Sequence, residues 1–156
     1  MRQPLAAFAM NLEPPDLARL RGTFIQILPV ADVASARFYE GLFERAPQVR
    51  ILFSTNLDDL GEKFMMMLAV LLDNLAEPRR LARACRAQGA LHVRFGVRDE
   101  HFGPVIDALL ESFSATLGEW TEEDDRIWRA LLAQITEWMK EGAHDASRTG
   151  LDGGVS

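Results

Sequence analysis

The sequence predicts an all-α fold, and three observations carry the prediction. Apolar residues recur at three- and four-residue spacing through six long stretches. No stretch of comparable length alternates with period two. Prolines at positions 14, 15, 29, 47 and 78 fall between the stretches, where a residue lacking an N–H is tolerated. Six long helices and one short helical turn follow, with no internal repeat and no glycine-rich phosphate loop.

Residues 1–13 read as a flexible arm. Pro14 and Pro15 open the first helix, supported by Asp16, and Pro29 ends it. Leu17, Leu20, Phe24, Ile27 and Leu28 share its inner face. Asp32 is the expected N-cap of a second helix running to Arg45, with Ala34, Phe38, Leu42 and Phe43 inward. Pro47 opens a short turn ending at Phe53. A third long helix covers Leu57 to Asn74 on a stripe of Leu57, Leu60, Phe64, Met67, Leu68, Leu71 and Leu75. After Pro78 a helix-forming run from Arg79 to Leu91 leads to His92, and Gly96 breaks it. The next helix starts at Arg98 or Asp99, carries Phe102, Val105, Ile106, Leu109, Leu110, Phe113 and Leu117, and closes at Gly118. Thr121 with Glu122, Glu123 and Asp124 forms a cap and acidic first turn for the last helix. From Ala143 the polar composition predicts a disordered tail over 143–156, so the folded domain is expected over 14–142.

Bulk properties narrow the function. A chain of 156 residues fits one domain with a sizeable core. Its net charge of −6 argues against nucleic acid or an anionic membrane as partner, since both need a basic face. Cys85 is the sole cysteine, which excludes an internal disulfide and a multi-cysteine zinc site and fits a reducing, cytoplasmic setting. The longest apolar run, Phe64 to Leu72, falls well short of the roughly 20 residues that span a bilayer. The run from Leu5 to Met10 is shorter than the apolar region of a secretory signal, about seven residues or more.

Two side chains stand out chemically. His92 is one of three histidines and sits where a helix ends. A single neutral imidazole suffices to ligate a haem iron, although the macrodipole also favours a histidine there that binds nothing. Tyr39 is the only tyrosine and lies among inward apolar residues, where a buried phenol needs a partner for its O–H.

The stretch from Phe38-Tyr39 through Leu42-Phe43, Pro47 and Leu52-Phe53 resembles the signature of bacterial globins. The resemblance continues through Glu62-Lys63-Phe64-Met65, the Asp73-Asn74-Leu75 helix end, His92-Val93-x-Phe95-Gly96-Val97 and His101-Phe102-x-x-Val105. Five pieces in order cover about residues 14 to 142, similar to Vitreoscilla-type single-domain haemoglobins and the globin domain of flavohaemoglobins. The resemblance implies haem b (iron protoporphyrin IX) between the third long helix and the helix of His92. It makes His92 the proximal iron ligand, Phe53 the ring stacked on the porphyrin, and Tyr39 the distal donor to O2. Leu60 falls where these globins usually carry glutamine, with Phe64 one turn later; Val97 and Phe102 complete the haem contacts. Lys63 and Arg94 are candidates for the haem propionates, against ordinary solvation. Leu60 can neither donate a hydrogen bond nor coordinate iron, so the ferrous iron is expected to be five-coordinate. Flavohaemoglobins pair the proximal histidine with a tyrosine and a glutamate. Phe102 and, near that register, Ala143 stand there, so a more neutral imidazole is expected and peroxidase-like chemistry is disfavoured.

The implied function is reversible binding of O2, with NO and CO as further ligands. Oxidation of NO to nitrate is open if a separate reductase supplies electrons, because only residues 143–156 follow the last expected helix. A gas or redox sensor or interaction module without its own output domain is the alternative, and a haem-free structural globin a third. The sequence leaves monomer and homodimer equally open.

Overall fold

The computed structural model describes residues 12–53 and 56–153, with side chains through residue 148. Among these it contains six α-helices: α1 (Pro14–Ile27), α2 (Ala31–Arg45), α3 (Leu57–Asp73), α4 (Pro78–Arg94), α5 (Phe102–Leu117) and α6 (Glu122–Gly153). Short 3₁₀ turns at Leu28–Val30, Pro47–Leu52 and Asp99–His101 join α1 to α2, follow α2, and precede α5. No strand occurs among the described residues. None of the described helices is long and apolar enough to cross a membrane.

Local chemistry explains most boundaries. At α1 the Glu13 N–H donates to Asp16 Oδ2 at 3.0 Å, while at α3 Asn56 Oδ1 accepts from the Asp58 N–H at 2.8 Å. At α6, Thr121 and Asp124 exchange backbone-to-side-chain hydrogen bonds, both 3.0 Å long, in a reciprocal cap. Gly96 and Gly118 take positive φ (91° and 75°) just past α4 and α5, a conformation that costs glycine little.

Four expectations shift. Asp32 is not a cap: the Leu28–Val30 turn runs straight into α2, so Asp32 already lies in its first turn. The helix of His92 reaches Arg94, which puts His92 inside its last turn. The 3₁₀ turn Asp99–His101 takes up the residues where the fifth helix was expected to start. The expected tail continues α6 through Gly153, because Ala143 is buried and His144 Nε2 reaches Asp99 Oδ2 at 2.9 Å. These contacts outweigh the polar composition. Most of the expected N-terminal arm, residues 1–11, lies outside the described residues; Leu12 is buried.

The core runs from α1 through α5 to α6. Trp128 and Phe113 are fully enclosed and meet edge to face, centroids 5.3 Å apart. The Trp128 indole N–H donates to Thr23 Oγ1 at 2.8 Å, and that hydroxyl donates to the Leu20 carbonyl at 3.0 Å, so no polar atom of the pair is stranded. Each such ring contributes about 1.5–3 kcal/mol by burial.

The packing scheme positions the site. Helix α2 crosses both α5 and α3, and α4 lies antiparallel along α6. The consecutive helices α3 and α4 hardly touch. The apolar stripe of α3 therefore divides: Leu68 and Leu71, with Leu75 just past the helix end, are buried, while Leu57, Leu60, Phe64 and Met67 are only partly covered.

Candidate functional site

One wall is aromatic and comes from α2, the turn after it, and α3. The Tyr39 ring lies 5.6 Å from that of Phe53 at 70°, and Phe43 meets Phe53 at the same distance. Phe38 bridges to α3, stacking on Phe64 at 5.3 Å and 7°. These rings come together because the Pro47–Leu52 turn folds Phe53 back beneath α2. Arg50 secures the turn: its Nη1 donates to the Phe53 carbonyl at 3.3 Å, and its guanidinium lies 4.9 Å from the Phe43 centroid.

Tyr39 is 6% exposed. Burial alone raises its phenol to about 12, with no hydrogen bond or charge contributing. The hydroxyl is thus neutral at ordinary pH and has no hydrogen-bond partner among the described residues. On α3, Leu60 and Phe64 are half-buried, and Lys63 between them points to solvent.

The other wall is α4. His92 is half-buried, and its Nδ1 lies 2.6 Å from the Gln88 carbonyl oxygen, one turn earlier. A carbonyl only accepts, so Nδ1 carries the hydrogen and the Nε2 lone pair is free. The Val97 N–H donates to the His92 carbonyl at 3.2 Å, folding the chain back past Gly96. Leu52 Cδ2 lies 3.1 Å from where a Cβ on Gly96 would stand, so the turn bearing Phe53 abuts the end of the helix bearing His92. Leu91 and Phe95 are exposed at 44% and 66%, as are the side chains of Arg94 and Lys63.

Helix α4 is held from behind. A Cβ on Gly89 would fall 1.8 Å from the Met139 carbonyl oxygen, and one on Gly142 would fall 1.9 Å from that of Arg86. The two backbones touch reciprocally, a contact open only to glycine. Phe102 at the start of α5 is buried, with Lys140 Nζ 6.0 Å from its centroid. The nearby carboxylates are engaged elsewhere: Glu141 with Arg86 at 2.9 Å and Glu137 with Lys140 at 3.6 Å.

The structure thus gathers Tyr39, Phe53 and Phe64 on one wall and sets His92 and Val97 on the other. It leaves Lys63 and Arg94 outside both. Gln88, Gly89, Gly142 and Lys140 are additions that sequence reasoning missed. Gln88 acts through its backbone carbonyl, which has no side-chain signature; Gly89 and Gly142 carry the only hint, two glycines inside helices that otherwise have no use for them.

The partly covered faces of α3 and α4 fit a flat apolar group, and the free Nε2 fits an axial iron ligand. Comparison with known proteins accords with this. The family model for globins matches residues 36–139. Leghemoglobin of Canavalia lineata is 28% identical over 123 residues, covering 72% of this chain and 83% of that protein. The flavohemoprotein of Bordetella pertussis is 26% identical over 149 residues, 92% of this chain but 37% of its own length. An anaerobic nitrite reductase of Gossypium hirsutum is 39% identical over 54 residues, a third of each chain. The chain belongs to the globin family. Binding of haem and of small gases is the coarse function that membership carries.

Proposed function

We propose that the chain holds haem b between α3 and α4, with His92 Nε2 on the iron, and binds O2 reversibly on the Tyr39 side. The observation that carries this is the 2.6 Å contact of His92 Nδ1 with the Gln88 carbonyl. It fixes the tautomer and aims the free nitrogen. When bound, haem supplies an iron centre that takes up diatomic gases and changes oxidation state. Phe53 and Phe64 give it an apolar bed, while Lys63 and Arg94, without ion pairs among the described residues, are free to meet its propionates.

Tyr39 supplies the donor. O2 carries partial negative charge when bound, and a neutral phenol with no other partner can donate to it. Leu60 offers neither a donor nor an iron ligand. On the far side, no carboxylate is paired with His92 among the described residues; its Nδ1–H goes to a neutral carbonyl, which leaves the ring less electron-rich than a carboxylate partner would. Such a ligand favours binding and release of gas over cleavage of the O–O bond.

With a separate reductase supplying one electron per turnover, the same pocket supports combination of NO with O2 to give nitrate. The 92% alignment with the globin part of a flavohemoprotein supports that finer reading. The buried, single Cys85 suits a reducing, cytoplasmic setting.

Absorption spectra of the purified protein, oxidised, reduced with dithionite and exposed to CO, test the haem assignment. The expected reduced form is five-coordinate, and His92→Ala loses stable haem. A His92→Ala protein that keeps the unaltered reduced spectrum overturns the assignment. Stopped-flow mixing of the O2 complex with NO, followed by nitrate analysis, tests the dioxygenase reading.

A further inference from the structure

A concavity lies between α2 and α3 beneath the Leu28–Val30 turn, with a volume of about 1010 Å³. That is the upper end of the range of sites for drug-sized molecules, roughly 300–1,000 Å³. Its floor is apolar: Leu57 and Met65 line it, with the exposed Ala36 and with Leu28 and Met66, 47% and 68% exposed, at the rim. Methionine adapts its shape to what it covers.

Its charge is one-sided. Among the described residues, Asp32, Glu40, Asp58 and Glu62 line the cleft against a single cation, Arg50. None of the four carboxylates forms an ion pair among the described residues. Arg50 is committed to the Phe53 carbonyl and the Phe43 ring. Carboxylates around a concave, apolar-walled space focus a negative potential into it. The inner wall includes Tyr39, more than nine-tenths buried, whose hydroxyl no described residue satisfies. A cleft of this make attracts a positive head group and shelters an apolar tail; an anionic tail-bearing molecule is repelled.

We propose that the α2–α3 cleft is a binding site for an amphiphilic organic cation, an ammonium group carrying an alkyl or aryl tail. The head group lies among Asp32, Asp58 and Glu62, and the tail runs inward along Leu57 and Met65 toward Tyr39. The cleft shares Tyr39 and Phe43 with the aromatic wall of the proposed gas site, while its head-group end is built from carboxylates that take no part in that site.

Calorimetric titration of the reduced, CO-saturated protein tests it, with the iron position already taken. The probes are decyltrimethylammonium, decyl sulfate and decyl maltoside, each below its micelle concentration. The cation is expected to bind saturably at one site per chain, about tenfold or more tighter than the other two at low salt. The Asp32→Asn/Asp58→Asn/Glu62→Gln variant is expected to lose about tenfold in cation affinity. The Ala36→Trp variant, which fills the cleft from an exposed position, is expected to bind none of them there. Circular dichroism and the CO spectrum check that both variants are folded. Equal binding of the three probes overturns the proposal, as does unchanged cation affinity in either folded variant. Repeating the titration on the protein without CO separates the two readings: a haem or Tyr39 role assigned wrongly leaves the preference for the cation in place, whereas a wrong cleft assignment removes it under both conditions.

Discussion

The wall carrying Tyr39 and the wall carrying His92 are braced by different means. On the Tyr39 side, α2 and α3 meet through side chains: Phe38 stacks on Phe64, and Ser35 faces Gly61. A wide cleft opens alongside. On the His92 side, α4 and α6 meet backbone to backbone at Gly89 and Gly142, with the Arg86–Glu141 pair beside the crossing. Side chains can turn to new rotamers; two touching backbones can only move apart as helices. The contrast places the rigid support behind His92, the proposed iron ligand, and the adaptable one behind Tyr39, the proposed donor to the gas.

The sharpest way to break that contrast is Gly89→Ala. The added methyl would overlap the Met139 carbonyl oxygen, 1.8 Å away, so α4 and α6 must separate along their length. A cost of about 3 kcal/mol or more is expected, well above the roughly 1 kcal/mol that alanine gains in helix propensity. Urea denaturation of the wild-type and variant proteins measures it. A variant as stable as wild type would mean that the helices do not touch at this point.

Tyr39→Phe probes the other wall. It keeps the ring against Phe53 and removes only the hydroxyl. If Tyr39 is the donor, O2 dissociation accelerates by about 10- to 150-fold, the equivalent of a charge-assisted hydrogen bond of about 1.5–3 kcal/mol. CO carries less negative charge on its outer atom, so its release changes far less. Stopped-flow measurement of both gases separates the outcomes: equal acceleration means altered packing, and an unchanged O2 rate removes Tyr39 from the role.

Legibility of these features in the sequence follows their physical range. The helices were readable because periodicity and proline are local signals; the stripe of α3 and the turn ending at Phe53 emerge from spacing alone. Globin family membership was readable from the five motif pieces. The end of α6 was not, since composition from Ala143 onward says nothing of the Asp99 side chain that meets His144 across 45 positions of sequence. Asp32 misled because a good capping residue sits one position inside a helix entered from a 3₁₀ turn. The Gly89–Gly142 crossing was invisible, as a contact between two backbones leaves no mark except the absence of a side chain.

The helix α6 that braces His92 is itself tied to α1, and acid should loosen that tie. Burial raises the Asp124 carboxyl, but hydrogen bonds from Arg19 and from the Thr121 backbone and hydroxyl outweigh it, and the group is held below its ordinary 3.8. Its folded value is lower than its unfolded one, so the stability it adds is present above the ordinary carboxylate value and drains as pH falls below it. Asp124→Asn should lose about 1 kcal/mol at pH 7, chiefly from the cap and the Arg19 pair, and the gap to wild type should narrow in acid. Denaturation midpoints at pH 7 and pH 3 test the sign: a gap that widens in acid contradicts it.

Gly61→Ala is the smallest expected effect and the closest test of how the two walls differ. A methyl on Gly61 would stand 2.8 Å from Ser35 Cβ and 3.0 Å from its Oγ, and 3.9 Å from Tyr39 Cε2. The obstacle is one small side chain on α2, not a carbonyl of the facing helix. A shift of a few tenths of an ångström relieves it, and alanine returns up to about 1 kcal/mol in helix propensity. A net loss of about 1 kcal/mol or less is expected, several-fold below that of Gly89→Ala. The Ser35→Gly background removes the obstructing atoms, so Gly61→Ala should cost about 1 kcal/mol less there than in wild type. No background serves Gly89 in this way, because no substitution deletes the Met139 carbonyl. A double-mutant cycle by urea denaturation measures the Ser35–Gly61 coupling. A coupling near zero would mean that α2 and α3 already adjust elsewhere, and the distinction between a side-chain wall and a backbone wall would then lie in the cleft and not in the crossing.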